Sequence, residues 1–284
     1  MEIRRIAVIG AGIMGSGIVQ VAASKGFEVT MEDVEESHLN KGIGSIEFYL
    51  SKDVEKGRLC AKEYEEIKSR IRGTIDLEEA VANADVIIEA VVEKLDVKKN
   101  LIRNISKFAP YHAILASNTS GLSITEMASV YHSPQNCIGM HFFNPVPIMK
   151  PVELIRGLTT SEETYQGIRD LAATMGKTAI TVNDSPGFVW NRIFAPMINE
   201  AVYTLMENVA TAEDIDCLSK LGNCTPIGPL ALADLIGLDT VLMIMESLHT
   251  EFSDSKYRPC PLLRKMVRAG CLGRKTGRGF YQYD

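Results

Sequence analysis

The stretch that decides the fold lies at residues 3–15 and reads IRRIAVIGAGIMG. Residues 3–9 are predicted to form a strand, which runs directly into the glycine pattern G-x-G-x-x-G at Gly10, Gly12 and Gly15. The first glycine of such a pattern permits a tight turn, the second lets the backbone approach a pyrophosphate, and the third lets a helix pack on the strand. The phosphates then lie at the amino end of a helix predicted over residues 13–25, where free N–H groups and the helix dipole favour anions.

A second predicted strand, residues 27–31, ends at Glu32 and Asp33, about 20 residues after the glycines. A carboxylate at that place can bind both hydroxyls of a ribose. NAD is favoured over NADP, because Glu32 and Asp33 would repel a 2′-phosphate and no arginine stands beside them. The alternative is that Asp33 is a solvated turn residue. The predicted cofactor-binding residues here are Gly10, Ala11, Gly12, Ile13, Met14, Gly15 and Asp33.

Short apolar runs alternate with helical patterns through the first half of the chain. Runs of strand length lie at residues 6–9, 85–90 and 113–116, and an amphipathic pattern covers residues 95–108. Because the runs lack alternation, they suit parallel strands that are covered on both faces. The predicted fold is α/β, with an N-terminal Rossmann-type, doubly wound parallel sheet.

The pattern changes after a last predicted strand at residues 177–182. Helical patterns over residues 188–206 and 229–252 follow, and strand candidates disappear. Asp184 or Ser185 can cap the first of these helices, with Pro186 in its first turn. We therefore expect two domains, an NAD-binding domain at 1–184 and an all-α domain at 185–284.

Composition excludes several other classes of protein. The chain has 284 residues, 46% of them hydrophobic, and a formal net charge of −6, which is not typical of disordered, collagen-like or coiled-coil proteins. The acidic balance argues against a nucleic-acid partner, and the sequence has no apolar run of about 18 residues that would cross a membrane. The six cysteines are scattered without the spacing of metal ligands, so we expect no metal site and a cytoplasmic location.

His141 stands out among the five histidines by its position. The apolar run before it reads as a strand and Asn144-Pro145 after it as a turn, so His141 would lie at the strand end, where doubly wound folds bind ligands. Glu153, flanked by Val152 and Leu154, is expensive to bury without a partner. Pairing His141 with Glu153 would explain both residues. The alternative is a structural histidine.

At this point the sequence resembles a known family. The segments GAGIMG at 10–15, EAVVE at 89–93, ASNTS at 116–120, HFFNP at 141–145, PGFVWNR at 186–192 and LGRKTGRGFY at 272–281 occur in one order along the whole chain. Together they resemble the 3-hydroxyacyl-CoA dehydrogenases, and most closely the short bacterial 3-hydroxybutyryl-CoA dehydrogenases.

The resemblance implies a role for individual residues. His141 matches the catalytic acid/base and Glu153 the carboxylate that orients it, while Ser120 and Asn191 match residues that hydrogen-bond the reacting oxygen of the substrate. Further cofactor-contacting positions match Glu93, Lys98, Asn144 and Lys275. Lys52 and Lys56 lie nearest to the lysines that bind CoA in the family.

Other interpretations of these residues stay open. Ser120 could cap a helix before Ile124, Asn144 could be a turn residue, and Lys52 and Lys56 alternate with acids as on a solvated helix surface. Pro151 departs from the family pattern and could shift the strand that carries Glu153.

The implied activity is that of an NAD-dependent (S)-3-hydroxybutyryl-CoA dehydrogenase, or acetoacetyl-CoA reductase, with hydride transfer at C3. Its partners would be acetoacetyl-CoA, 3-hydroxybutyryl-CoA and a second copy of the chain, as a homodimer or higher homo-oligomer. A hydroxy-acid or gulonate-type sugar-acid dehydrogenase on the same scaffold is one alternative. A non-catalytic NAD-binding protein is the other. Hydroxyisobutyrate-type enzymes are disfavoured, since they use a lysine four residues before the asparagine, where this chain has Gly187.

Overall fold

The computed structural model describes residues 2–283, and the chain divides into two compact units, Met1–Asp184 and Ser185–Asp284. We call them the N-terminal unit and the C-terminal unit. Within the described residues, the N-terminal unit holds one eight-stranded sheet with the order β3-β2-β1-β4-β5-β6-β7-β8. The strands are β1 Arg5–Ile9, β2 Glu28–Glu32, β3 Ile71–Thr74, β4 Val86–Glu89, β5 Ile114–Ser117, β6 Cys137–Phe142, β7 Pro151–Arg156 and β8 Thr178–Asn183.

Helices cover the sheet. They are α1 Ile13–Ser24, α2 Glu36–Glu55, α3 Ala61–Ser69, α4 Leu77–Val81, α5 Leu95–Phe108, α6 Ile124–Ala128 and α7 Glu162–Thr174. The strands β4, β5 and β6 are buried along their whole length, as their continuous apolar runs predict. The predicted α/β fold with a Rossmann-type sheet is therefore confirmed.

One part of the prediction of a parallel sheet is wrong. Strands β1 to β6 pair in parallel, but β7 pairs with β6 in antiparallel fashion. The link at residues 143–150 is too short for the crossover that parallel neighbours need, so the chain turns back beside β6. As a result, the end of β6 lies directly opposite the start of β7.

The C-terminal unit is helical and has its own apolar core, to which Val202, Leu230, Leu238 and Leu263 contribute. Its helices are α8 Trp190–Met206, α9 Ala212–Asn223, α10 Pro229–Ile236, α11 Leu238–Phe252 and α12 Pro261–Arg268. The pattern at 229–252 is thus two helices. Gly237 separates them, because its φ of +103° is incompatible with a continuous helix.

The predicted start of α8 is also wrong. The helix begins at Trp190, since Phe188 has a φ of +54°, which a right-handed helix cannot contain. Pro186 therefore lies in the preceding turn. Asp184 does not cap α8 but accepts hydrogen bonds from the hydroxyl of Ser123 and the N–H of Thr125, at 3.0 and 2.7 Å.

None of the helices built from residues 2–283 is both long enough and apolar enough to span a membrane.

Candidate active site

The glycine loop leads from β1 into α1, and its three glycines meet different surroundings. Gly10 has a φ of +106°, and a Cβ there would lie 2.7 Å from the carbonyl oxygen of Ala90. A Cβ at Gly15 would overlap the carbonyl oxygen of Gly10. At Gly12, by contrast, a Cβ would find no atom of the described chain within 4 Å. The chain's own packing requires the first and third glycines, whereas the second borders open space.

That open space lies at the amino end of α1. Gly12 is the N-cap, and no side chain among residues 2–283 accepts a hydrogen bond from this helix end. Ile13 begins the helix with 78% of its surface exposed. Backbone N–H groups of the first turn and the open side of Gly12 together fit the pyrophosphate of a dinucleotide.

Asp33 follows β2 and is bound to the glycine loop. Its Oδ2 accepts the N–H of Ala11 at 2.9 Å, and its Oδ1 lies 3.3 Å from Nδ1 of His38. The carboxylate is only 15% exposed, so Asp33 is not a solvated turn residue. Its neighbour Glu32 is buried, and burial, followed by the charges of Asp33 and Asp76, raises the pKa of Glu32 to about 7.

His141 and Glu153 are brought together by the antiparallel pairing of β6 and β7. The two residues are direct partners in the strand register, and Nδ1–H of His141 donates to Oε2 of Glu153 at 2.8 Å. Their side chains are 8% and 4% exposed. Pro151 is the first residue of β7 and does not shift Glu153 away from His141. A buried imidazole held by a carboxylate is an arrangement suited to proton transfer.

Glu93 and Ser120 meet in the segments that follow β4 and β5. Oε1 of Glu93 accepts the hydroxyl of Thr119 at 2.5 Å and the N–H of Ser120 at 2.8 Å. Ser120 does not cap a helix, because α6 begins at Ile124 and Ser123 is its cap. Asn144 lies in the turn after β6 and is followed by a cis peptide bond to Pro145.

Lys98 is 1% exposed, and its ammonium group is bound to Glu89, the last residue of β4. Glu89, with no exposed surface, is a residue that the sequence analysis missed. The signal was available, since a glutamate that ends the apolar run VIIE needs a partner for the same reason as Glu153.

Asn191 and Lys275 both belong to the C-terminal unit. Asn191 is the second residue of α8 and is 9% exposed, so it is not part of an open helix surface. The ammonium group of Lys275 binds both carboxylate oxygens of Asp239 at 2.6 Å. Burial opposes the ionisation of Asp239, but this hydrogen bond, the charge of Lys275 and main-chain hydrogen bonds together outweigh it and lower the pKa of that carboxyl group.

The two lysines predicted to bind CoA lie at the end of α2. Lys52 donates to Glu55 at 2.8 Å, and Lys56 is an exposed residue just after the helix. A cleft of about 750 Å³ opens beside the end of α2, with Asp53 of that helix and Lys25, Arg58, Lys150 and Lys177 in its walls. Lys52 and Lys56 are not among its lining residues.

Across residues 2–283, no three His, Cys, Asp or Glu side chains form a group that could hold a metal ion.

Comparison with known proteins identifies the family. The model of the 3-hydroxyacyl-CoA dehydrogenase NAD-binding domain matches residues 5–185, and that of the C-terminal domain of the same family matches residues 187–283. A probable 3-hydroxybutyryl-CoA dehydrogenase of Bacillus subtilis is 55% identical over 100% of this chain and 99% of its own. A 3-hydroxybutyryl-CoA dehydrogenase of Clostridioides difficile is 48% identical over 99% of both chains.

Solved structures agree with this assignment. The crystal structure of (S)-3-hydroxybutyryl-CoA dehydrogenase from Ralstonia eutropha superimposes with a TM-score of 0.97 at 47% identity, over 100% of both chains. Its fold and the two family matches cover the same two units that are described above. The chain belongs to the 3-hydroxyacyl-CoA dehydrogenase family and is a dehydrogenase with an N-terminal NAD-binding domain.

Proposed function

We propose that the protein is an NAD-dependent (S)-3-hydroxybutyryl-CoA dehydrogenase that works as an acetoacetyl-CoA reductase. The observation that carries this proposal is the buried hydrogen bond between His141 and Glu153 at the end of β6. Because β1, β2, β4, β5 and β6 are parallel, their carboxyl ends share one edge of the sheet. The glycine loop, Asp33 and His141 lie at that edge, which is where such folds bind ligands.

In the proposed reaction, bound NADH supplies the hydride that C3 of the acyl group accepts. His141 gives a proton from Nε2 to the C3 oxygen as negative charge develops on it. Glu153 holds the ring through Nδ1 and stabilises the imidazolium that exists before the proton is given up. In the oxidation direction, His141 takes the same proton from the hydroxyl group.

Ser120 is proposed to hydrogen-bond the reacting oxygen, a role that neutral donors perform well. Support comes from its main chain, which Glu93 fixes at the end of β5. Glu93, Lys98 and Asn144 are proposed to shape the cofactor site at the same edge. The roles of Asn191 and Lys275 rest on the family resemblance alone.

Binding of CoA by Lys52 and Lys56 is the part of the proposal with the least structural support. The protein is net acidic, so an anionic acyl-CoA needs a local cation. Lys52 is already paired with Glu55 and would have to exchange that carboxylate for a phosphate. Lys56 has an exposed side chain that can reach a ligand without breaking such a pair.

A homodimer through the C-terminal unit is also proposed. In this unit, Leu230 of α10 belongs to the core, whereas Met243 of α11 is 44% exposed. Leu218 and Leu221 on α9 are 74% and 76% exposed, which is costly for large apolar side chains unless a partner covers them. Light scattering measures the mass directly. A cytoplasmic location remains a prediction from the six cysteines, which are all free thiols in the described chain.

The test of the proposed function is the initial rate of NADH and NADPH oxidation, with acetoacetyl-CoA and with free acetoacetate as substrates. Fast turnover with NADH that requires the CoA ester supports the proposal. Absence of turnover with the ester, from folded protein that still binds NADH, contradicts it. Activity with free hydroxy acids or sugar acids would then indicate the alternative dehydrogenase.

A further inference from the structure

Glu89 is a fully buried carboxylate at the edge of the sheet that carries the candidate active site, and no role described above uses it. Its Oε2 accepts the hydroxyl of Ser117 at 2.6 Å. Its Oε1 accepts the ammonium group of Lys98 at 2.6 Å and the N–H of Val91 at 2.7 Å. Glu89 therefore links the ends of β4 and β5 to α5.

Lys98 continues this link towards the surface. Its Nζ donates to Oε1 of Glu89 and to the carbonyl oxygen of Val91 at 3.2 Å, and it lies 3.3 Å from Oε2 of Glu93. An ammonium group has three N–H donors, and these are three acceptors. The described chain itself can therefore satisfy all three donors of Lys98.

Of Glu89, Lys98 and Glu93, only Glu93 reaches the surface, with 28% of its side chain exposed. Lys98 lies beside its Oε2, while its Oε1 binds Thr119 and the main chain of Ser120. A second path runs from Glu89 through the hydroxyl of Ser117, which accepts the N–H of Thr119 at 3.2 Å. Both paths start at Glu89 and end in the turn that carries Ser120.

We propose that Glu89 is a positioning residue that acts through Lys98 and Ser117 to fix Glu93 and the turn at 117–120 in the geometry that binds the cofactor. The inference deepens the proposed function and rests on it. Two carboxylates and one ammonium group are costly to desolvate unless each finds its partner. The arrangement therefore has one favourable geometry, and a change at Glu89 is transmitted to groups that a ligand can touch.

The chain offers a matched control at the other end of the same strand. Asp85 directly precedes β4, is 8% exposed, and its Oδ2 accepts the N–H groups of Arg4 and Arg5 at 2.9 and 2.8 Å. Like Glu89, it is a buried carboxylate that stabilises β4. It lies at the amino ends of the strands, away from the edge that carries the glycine loop. A purely structural role would make the two carboxylates equivalent.

The experiment compares Glu89→Gln with Asp85→Asn in the full-length protein. Lys98 and Ser117 donate to different oxygens of Glu89, and glutamine replaces one of these oxygens with an NH2 group that cannot accept a hydrogen bond, so one of the two contacts is lost. For each variant, the dissociation constant for NADH is measured by fluorescence without acyl-CoA. The thermal midpoint, kcat, and the KM values for NADH and acetoacetyl-CoA are measured alongside.

We expect Glu89→Gln to weaken NADH binding and lower kcat by about ten- to a hundredfold each, because small misplacements of site groups have effects of this size. Asp85→Asn is expected to lower the thermal midpoint by about as much as Glu89→Gln does. Its NADH dissociation constant should stay within about twofold of the wild type. Equal losses of NADH binding in both variants, or wild-type binding and kcat in Glu89→Gln, would overturn the proposal.

Ser117→Ala keeps the test decisive if Glu89→Gln does not fold. It removes the hydroxyl that connects Glu89 to Thr119 and leaves the pair with Lys98 intact. We expect it to weaken NADH binding several-fold, and wild-type binding would overturn the proposal. Failure of the proposed function is a different result, because it appears as absence of acetoacetyl-CoA turnover in the wild type, whereas the binding comparison needs only NADH.

Discussion

Buried charged groups at the active-site edge of the N-terminal unit have different partners from those of the C-terminal unit. In the N-terminal unit, the side chains of Glu89, Lys98, His141 and Glu153 are paired with one another at the carboxyl ends of the strands. In the C-terminal unit, Asp216 and Asp234 are just as buried, but each accepts main-chain N–H groups. Asp216 binds Leu230 and Ala231 at the start of α10, and Asp234 binds Phe280 and Tyr281.

The difference separates carboxylates that stabilise a fold from carboxylates that serve a site. An acid that satisfies main-chain donors holds a helix end or a tail, and its partners have no further chemistry to perform. An acid that holds an imidazole or an ammonium group controls the position and charge of a group that can act on a ligand. Burial alone does not distinguish the two, because Asp216 and Asp234 are as buried as Glu89 and Glu153.

His141→Gln tests whether the imidazole held by Glu153 acts in the reaction, and it should have the largest effect. We expect kcat to fall by about 10²–10⁴-fold, because glutamine cannot donate or accept the proton. Glutamine can still hydrogen-bond Glu153, so the thermal midpoint and the dissociation constant for NADH should change little. Turnover near that of the wild type in a folded variant would remove His141 from the mechanism.

Asp216→Asn tests a buried carboxylate that binds main-chain donors and is expected to stabilise the fold. Asparagine has a single acceptor oxygen for Leu230, Ala231 and the hydroxyl of Tyr281, which Asp216 now binds at 2.8 to 2.9 Å. We expect the free energy of unfolding to fall by about 2–4 kcal/mol, measured in urea, because buried donors lose their partner. The value of kcat per folded molecule should stay within about twofold.

The control for Asp216→Asn is Asp214→Asn on the same helix. Asp214 is exposed and accepts only the hydroxyl of Thr211 among the described residues. Its replacement should change the free energy of unfolding by about 0.5 kcal/mol or less. Similar losses in the two variants would show that net charge, rather than the buried partners of Asp216, determines stability.

Gly12→Ala tests whether the open space beside the glycine loop of the N-terminal unit holds the pyrophosphate. The new methyl group meets no atom of the described chain within 4 Å and the φ of −69° suits alanine, so the protein should fold normally. It would occupy the space predicted for the pyrophosphate, and we expect the KM for NADH to rise about tenfold. Gly44→Ala, in an equally open position on α2, is the control and should leave this KM unchanged. An unchanged KM in Gly12→Ala would place the pyrophosphate elsewhere.

The smallest expected effect concerns Glu32, a buried acid of the N-terminal unit whose pKa is raised to about 7. Glu32 is protonated below that pH and ionised above it, so at pH 8 a second negative charge stands beside Asp33. We expect the preference for NADH over NADPH, measured as a ratio of kcat/KM, to be about fivefold greater at pH 8 than at pH 6. Glu32→Gln should remove this increase.

The raised pKa of Glu32 also makes the stability of the protein depend on pH. Because the folded-state pKa of Glu32 exceeds the ordinary glutamate value of 4.5, the folded protein binds more protons than the unfolded chain between those two pH values. The contribution of Glu32 to stability therefore decreases as the pH rises towards 7. Glu32→Gln should accordingly be more stable than the wild type at pH 8 and gain little at pH 4. An equal gain at both pH values would contradict the raised pKa.

Much of the site could be predicted because its signals are local. The glycine loop, the carboxylate after β2 and the strand-end histidine each follow from residues within one strand, turn and helix. Glu153 could be paired with His141 because burial demanded a partner. Glu89 presented the same demand, but its partners Ser117 and Lys98 are 28 and 9 residues away, and nothing local selects them.

The sequence by itself determined the alternation of strand and helix, the glycine turn, the change to an all-helical C-terminal unit and the family of the chain. These depend on backbone preferences and on apolar patterns over a few residues. Only the tertiary structure decided the reversed direction of β7, the start of α8 at Trp190 and the partners of Asp184 and Glu89. The partners of Asp184 and Glu89 depend on contacts between segments far apart in the chain, where the cost of an unpaired buried group selects one arrangement.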